Sequence, residues 1–320
     1  MNIPSILKAR TSMILRGCSA SSMHCESSAT SVFDTDTHHQ YRPAELQEIR
    51  SNAVDVDRLL TIAEMTNKYH FTSTSSWAMS ALCEVTECPP QPWRATRAMH
   101  RPFVPAWCTA PTLRRIIEVA HLCGHQMLCD HVAEKWVELI LVGWANPVHA
   151  MAVADEYGLA RLKGTSYYET LLLCDDALEY VYEPVDGGER SEPPALSPAQ
   201  RAGLLSGFFS LVRRWEALRA TAPTFTKPDG CTYHAHGCLS TWQAVWKSTT
   251  KSDAMVHRRT VDVLGRLGAM ADLLDADRDL RCALTPACRR AAMDSVRELL
   301  KREEDELACH FRDLTRPEPN

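Results

Sequence analysis

From Val54 to the end of the chain, apolar residues recur at helical spacing, and alternating β-branched runs are rare. A 3.6-residue period buries one face of a helix, whereas a half-buried strand needs a period of two. No glycine-rich strand-to-helix turn interrupts the pattern. The chain is therefore expected to be all-α. With 320 residues, 45% of them hydrophobic and 23% charged, it has ample material for a buried core.

Three segments align on a small residue, Ala63, Ala120 and Ala154. Eight positions after each stands an apolar residue, Phe71, Leu128 and Leu162, and further on comes a large aromatic, Trp77, Trp136 and Tyr168. The pattern predicts a helix, a short turn and a second helix, used three times. The alanine lets two helices approach, and the aromatic fills the space between them. Such hairpins cannot bury their faces alone, so stacking is expected.

Cap chemistry sets several boundaries. Asn146-Pro147 and Thr285-Pro286 each offer an N-cap with proline at the first helical position, and Ser197 with Gln200 forms a capping box. The final helix should run to about His310, with Met293, Val296, Leu299, Leu300 and Leu307 inward and Lys301 to Glu306 facing water. The stretch 183–196, rich in Gly, Pro and charge, is the expected linker between two lobes of stacked helical hairpins, 41–182 and 197–312. Residues 1–40 and 313–320 are expected as disordered tails. The first 33 residues also resemble a transit peptide, being rich in Ser and basic residues with no acid before Glu26. They read more simply as a tail, or as the mark of an incomplete gene model.

A net charge of −5 leaves no basic excess for neutralising phosphates and speaks against nucleic acid as a partner. The most apolar stretch, Trp136 to Trp144, contains Glu138 and is far shorter than the roughly 20 residues needed to span a bilayer. It reads as a core helix. The thirteen cysteines are odd in number and mostly lie in helical apolar patterns, as Cys83, Cys123, Cys129 and Cys174 do. That placement suits reduced packing thiols and a cytoplasmic or nuclear compartment.

Metal-ligand chemistry gathers in Cys231-Thr-Tyr-His234-Ala-His236-Gly-Cys238, which follows the turn Pro228-Asp229-Gly230. A second cysteine pair, Cys282 and Cys288, flanks the start of the last helix. The candidate site is a structural zinc centre of Cys231, Cys238, Cys282 and Cys288, with His234 and His236 as alternative ligands. Against it stands the plainer reading of packing cysteines and exposed histidines, with no cofactor at all. The spacings are wider than the usual two to four residues.

His121, His125 and His131 have helical spacing but no matching carboxylate, and Asp275 to Asp279 lacks the glycine and closing glutamate of a calcium loop. No nucleophile signature or phosphate-binding loop is present, and no small-molecule substrate is expected. These features favour a non-enzymatic protein-interaction module. The alternative is a zinc-stabilised module that recognises a protein or nucleic acid through the 231–238 loop, with Arg289 and Arg290 nearby. Trp93, Phe103 and Trp107, in the proline-rich stretch 89–111, are the candidate contact residues.

Tyr41-Arg-Pro-Ala-Glu-Leu-Gln, the run Val56 to Phe71, and Trp77-Ala78 resemble BTB/POZ domain proteins of basidiomycete fungi. The likeness extends through Val119-Ala120, Val153 to Leu159, Tyr167-Tyr168, Cys231, Cys238, Trp242, Trp246, Cys282 and Cys288. It implies the helical region downstream of a BTB core, with a BACK-like first lobe and an adaptor or scaffold role toward a protein partner. The core itself would precede Tyr41, where only 40 serine-rich residues stand.

Overall fold

Each expected pair of helices is present, and each turns on one residue with left-handed backbone. In a computed structural model that describes residues 56–87, 107–174 and 195–312, helix α1 (Val56–Lys68) reaches α2 (Thr72–Glu87) through His70, at φ 60°. Helix α3 (Ala110–Leu122) meets α4 (Gln126–Leu141) through Gly124, and α5 (Pro147–Tyr157) meets α6 (Ala160–Leu173) through Gly158, both at φ 67°. Glycine reaches this region without strain, whereas a residue with a Cβ does not. Ala63, Ala120 and Ala154 are fully buried, as are Leu128, Leu162, Trp136 and Tyr168. Phe71 and Trp77 depart from the pattern: Trp77 is only half-buried. Phe71 lies in the turn before α2 and is exposed, because that turn starts the second helix one residue after it.

The described residues are 78% helical, with twelve α-helices and no strand. The all-α class is thus observed. No helix among them is long and apolar enough to cross a membrane.

The chain divides into two units at Val132/Ala133, inside α4. In the first unit, α1 and α3 run side by side: Arg115 contacts Asp57 and Glu64, and the Asn67 side-chain amide donates to the Leu122 carbonyl at 3.4 Å. Leu59, Leu60, Leu82, Leu113, Ile116 and Ile117 fill its interior.

The expected division at 183–196 is not where the structure divides, and most of that stretch lies outside the described residues. The reason is packing. Val148, Met151, Tyr167, Tyr168 and Leu171 of α5 and α6 share one core with the downstream helices α7 (Pro198–Ala220), α8 (Leu239–Thr249), α10 (Val263–Ala276) and α12 (Pro286–Asp305). Two short helices, α9 (Asp253–Val256) and α11 (Arg278–Ala283), complete this unit. The caps form as expected: Asn146, Ser197 with Gln200, and Thr285 each accept a backbone N–H. Asp262 caps α10 and also accepts the Tyr168 hydroxyl at 2.8 Å, which ties α6 to α10.

The last helix stops at Asp305, and a 3-10 turn, Leu307–His310, replaces its expected final turn. Glycines explain where that turn sits. A Cβ on Gly164 of α6 would lie 2.8 Å from the Ala308 nitrogen and the Leu307 Cβ, and one on Gly207 of α7 would overlap the Phe311 ring. Phe311 is buried against Tyr167, with ring centroids 5.3 Å apart. Ser206 donates to the His310 carbonyl, and the Ser210 hydroxyl meets His310 Nδ1 at 2.7 Å.

Glu303 does not face water as expected. It is buried, and the Arg214 guanidinium of α7 grips both carboxylate oxygens, donating from Nε at 2.7 Å to one and from its terminal nitrogen to the other. A helical wheel cannot see this, because the partner stands 89 residues away.

Candidate metal centre

The loop between α7 and α8 begins its work at Pro228-Asp229-Gly230. The Cys231 amide donates back to the Pro228 carbonyl at 3.3 Å while Gly230 takes φ 78°. This β-turn needs a positive φ at its third residue, which glycine supplies. It delivers Cys231 to the interior.

A π-helical turn, His234–Cys238, follows. The amides of Cys238 and Leu239 donate to the carbonyls of Tyr233 and His234, five residues back in each case. Single π turns are rare and tend to mark functional sites. This one leaves both His234 and Cys238 buried while His236 stays exposed. Tyr233 folds its ring over Gly237, where a Cβ would overlap it.

Cys288 arrives from elsewhere in the sequence, at the third position of α12. Thr285 caps that helix, accepting the Cys288 amide at 3.3 Å, and its hydroxyl also points to the Cys231 sulfur at 3.8 Å.

The side-chain donors converge. Cys231 Sγ lies 3.4 Å from Cys288 Sγ and 4.0 Å from Cys238 Sγ, and His234 Nδ1 lies 3.4 Å from Cys288 Sγ. Ligand atoms of Cys231, His234 and Cys288 all fall within 4.8 Å of one another. All four residues are buried, and the three cysteines are free thiols. Aromatic rings wall the cluster: Phe225 stands edge-on to His234 at 5.2 Å and to Trp242 at 6.2 Å, and Trp242 donates to the Pro223 carbonyl at 2.9 Å.

The thiols are electrostatically unequal. Burial pushes Cys288 up, to about 11, and its contacts with Cys231 and Cys238 add to that. Burial also opposes ionisation of Cys231, but hydrogen bonds from Cys288, Thr285, the Tyr233 backbone and Cys238 outweigh it and hold this thiol below its ordinary value. Of Cys231 and Cys288, Cys231 is thus the first to become a thiolate.

Of the expected four-cysteine set, Cys231, Cys238 and Cys288 come together, whereas Cys282 is exposed on α11 and stands outside the cluster. His234 joins Cys231 and Cys288 in the tightest group, with Cys238 beside Cys231, and His236 does not join. The choice between the two histidines was hidden in the sequence because it depends on the π turn. His131 of the other histidine group meets the Thr86 carbonyl at 3.1 Å instead. Trp93 and Phe103 lie outside the described residues, and Trp107 is half-buried.

No protein-family model, no curated protein sequence and no solved structure matches this chain.

Proposed function

We propose that the chain is a non-enzymatic helical module that binds another protein, with the outer face of α7 as its contact surface. One observation carries this reading. Leu205, Phe208 and Phe209 are exposed by 45%, 37% and 65%, while Leu204, Gly207, Leu211 and Trp215 line the buried face of the same helix. An ordinary surface helix carries polar side chains on its outer stripe. Positions i, i+3 and i+4 are the spacing by which an amphipathic helix meets a partner's groove. The two phenylalanines pack edge to face at 5.6 Å, which presents them as one unit.

Other features fit the same reading. A shallow depression on α8 is lined by Leu239, Ser240, Gln243, Ala244 and Lys247, which offers one cation and no carboxylate or imidazole for proton transfer. Arg289, half of the basic pair that would favour nucleic acid, is committed to Asp275, donating to its side chain and its carbonyl at 2.8 Å. An adaptor or scaffold role in the cytoplasm or nucleus, of the kind implied by the resemblance to the BACK-like region of BTB/POZ proteins, is the setting we assign to it.

Site-specific photo-crosslinking in the full-length chain tests the proposal. A crosslinker at position 209 should give one discrete protein adduct, and Leu205→Asp should abolish it. Binding to the captured partner should weaken by about 30-fold or more, the scale of a hot-spot loss of ~2 kcal/mol. The same crosslinker at Arg213, an exposed polar position of α7, is the comparison. Equal labelling from both positions would refute the assignment.

A further inference from the structure

We infer that Cys231, His234, Cys238 and Cys288 bind one structural zinc ion. This inference rests on the cluster alone and stands whether or not α7 is a contact surface. A tetrahedral zinc with bonds of about 2.3 Å to sulfur and about 2.0–2.1 Å to nitrogen separates its sulfurs by roughly 3.8 Å and a sulfur from a nitrogen by roughly 3.5 Å. The two sulfur spacings, 3.4 and 4.0 Å, bracket the first edge, and the 3.4 Å from Nδ1 to sulfur lies close to the second. Thiols that merely pack need no such convergence, and any small apolar residue would serve them.

Three further observations fit zinc. First, the donors are buried protein groups: Cys231, His234 and Cys288 place their ligand atoms within 4.8 Å of one another, and Cys238, 4.0 Å from Cys231, supplies the fourth, the composition of a structural rather than a catalytic site. Soft thiolates with one imidazole in tetrahedral array select zinc over the harder divalent ions. Second, three thiolates and one zinc ion carry a net charge of −1, and Cys288 places that charge at the N-terminus of the 20-residue helix α12, where the helix dipole favours an anion. Third, the outer shell is built. Thr285 reaches the Cys231 sulfur, and the Phe225 ring packs perpendicular to the His234 ring at 5.2 Å.

Binding replaces the proton on each thiol with a bond to zinc. The protons pass to solvent, His234 donates a ring-nitrogen lone pair, and nothing is oxidised. The ion joins residues 57 apart in sequence, and thereby fastens the α7–α8 loop to the last helix.

The test is elemental analysis of the full chain purified under reducing conditions, followed by exchange of the metal for cobalt. One zinc per chain is expected, and the cobalt form should show tetrahedral visible bands with thiolate-to-cobalt charge transfer. Cys282→Ser and His236→Ala should keep both signals, Cys238→Ser and His234→Ala should lose stoichiometric metal, and Thr285→Ala should weaken zinc by about tenfold, as outer-shell losses do. Should the ligand variants fail to fold, His234→Cys decides the matter, because four thiolates still hold zinc while the cobalt charge transfer intensifies. A chain with all thiols reduced and no zinc would overturn the inference. So would zinc that survives both Cys238→Ser and His234→Ala, or zinc lost in Cys282→Ser.

Discussion

Replacing Arg214 with methionine should be among the most damaging single changes in the second unit. Glu303 keeps only 3% of its side chain accessible, and Arg214 is its bidentate partner. Removing one partner of a buried pair costs about 3–5 kcal/mol, because a desolvated carboxylate is left behind. Arg302 lies 3.8 Å from the same carboxylate but is itself 57% exposed, so it offsets a small part of the loss. The expected cost is therefore near the low end, about 3 kcal/mol. At about 2–4 °C per kcal/mol for a unit of this size, the melting temperature should fall by about 6–12 °C. Urea unfolding followed by circular dichroism measures it directly. The paired change Arg214→Met with Glu303→Leu should recover most of the stability, since an apolar pair of similar volume has no charge to desolvate. A single-variant loss under about 1 kcal/mol, the range of exposed ion pairs, would show that the carboxylate is solvated and that the burial argument fails.

Two further outcomes follow from other parts of the fold. Burial holds the His310 imidazole below its ordinary value of 6.5, and the nearby Glu303 charge only partly opposes this. Because the folded state takes up the proton less readily than the unfolded chain, this contribution is complete above pH of about 6.5 and is lost as pH falls below it. Melting temperature should accordingly drop between neutral pH and mildly acidic pH, and the drop should be smaller in His310→Gln. His70→Gly should stabilise the first unit by about 0.5–1 kcal/mol, since a left-handed non-glycine residue costs about 1–2 kcal/mol and glycine's greater unfolded freedom returns part of that. Chemical denaturation of the variant beside the parent chain checks the sign.

The helices were legible in the sequence because their signals are local. The alanine-and-aromatic pattern marked three hairpins, and Asn146, Ser197 and Thr285 marked helix starts through side chains that act within three residues. Division of the chain was not legible. Proline, glycine and charge at 183–196 identify a stretch unable to form a helix, but say nothing about whether Tyr167 and Tyr168 pack forward or backward along the chain. The metal cluster was legible in part. Cysteine spacing found Cys231, Cys238 and Cys288, yet the π turn that turns His234 inward and leaves His236 outside is a backbone feature with no residue signature beyond Gly237. Glu303 escaped for the same kind of reason, since its partner is defined by tertiary packing.

The seat of Phe311 joins segments that are distant in the sequence. Tyr167 and Gly164 of α6 and Gly207 of α7 form the bed, and the ring and the turn that fill it come about a hundred residues or more later. Loop-closure entropy has to be overcome before contacts of that range contribute, so docking of Leu307 to Phe311 is expected among the late steps in folding of the second unit.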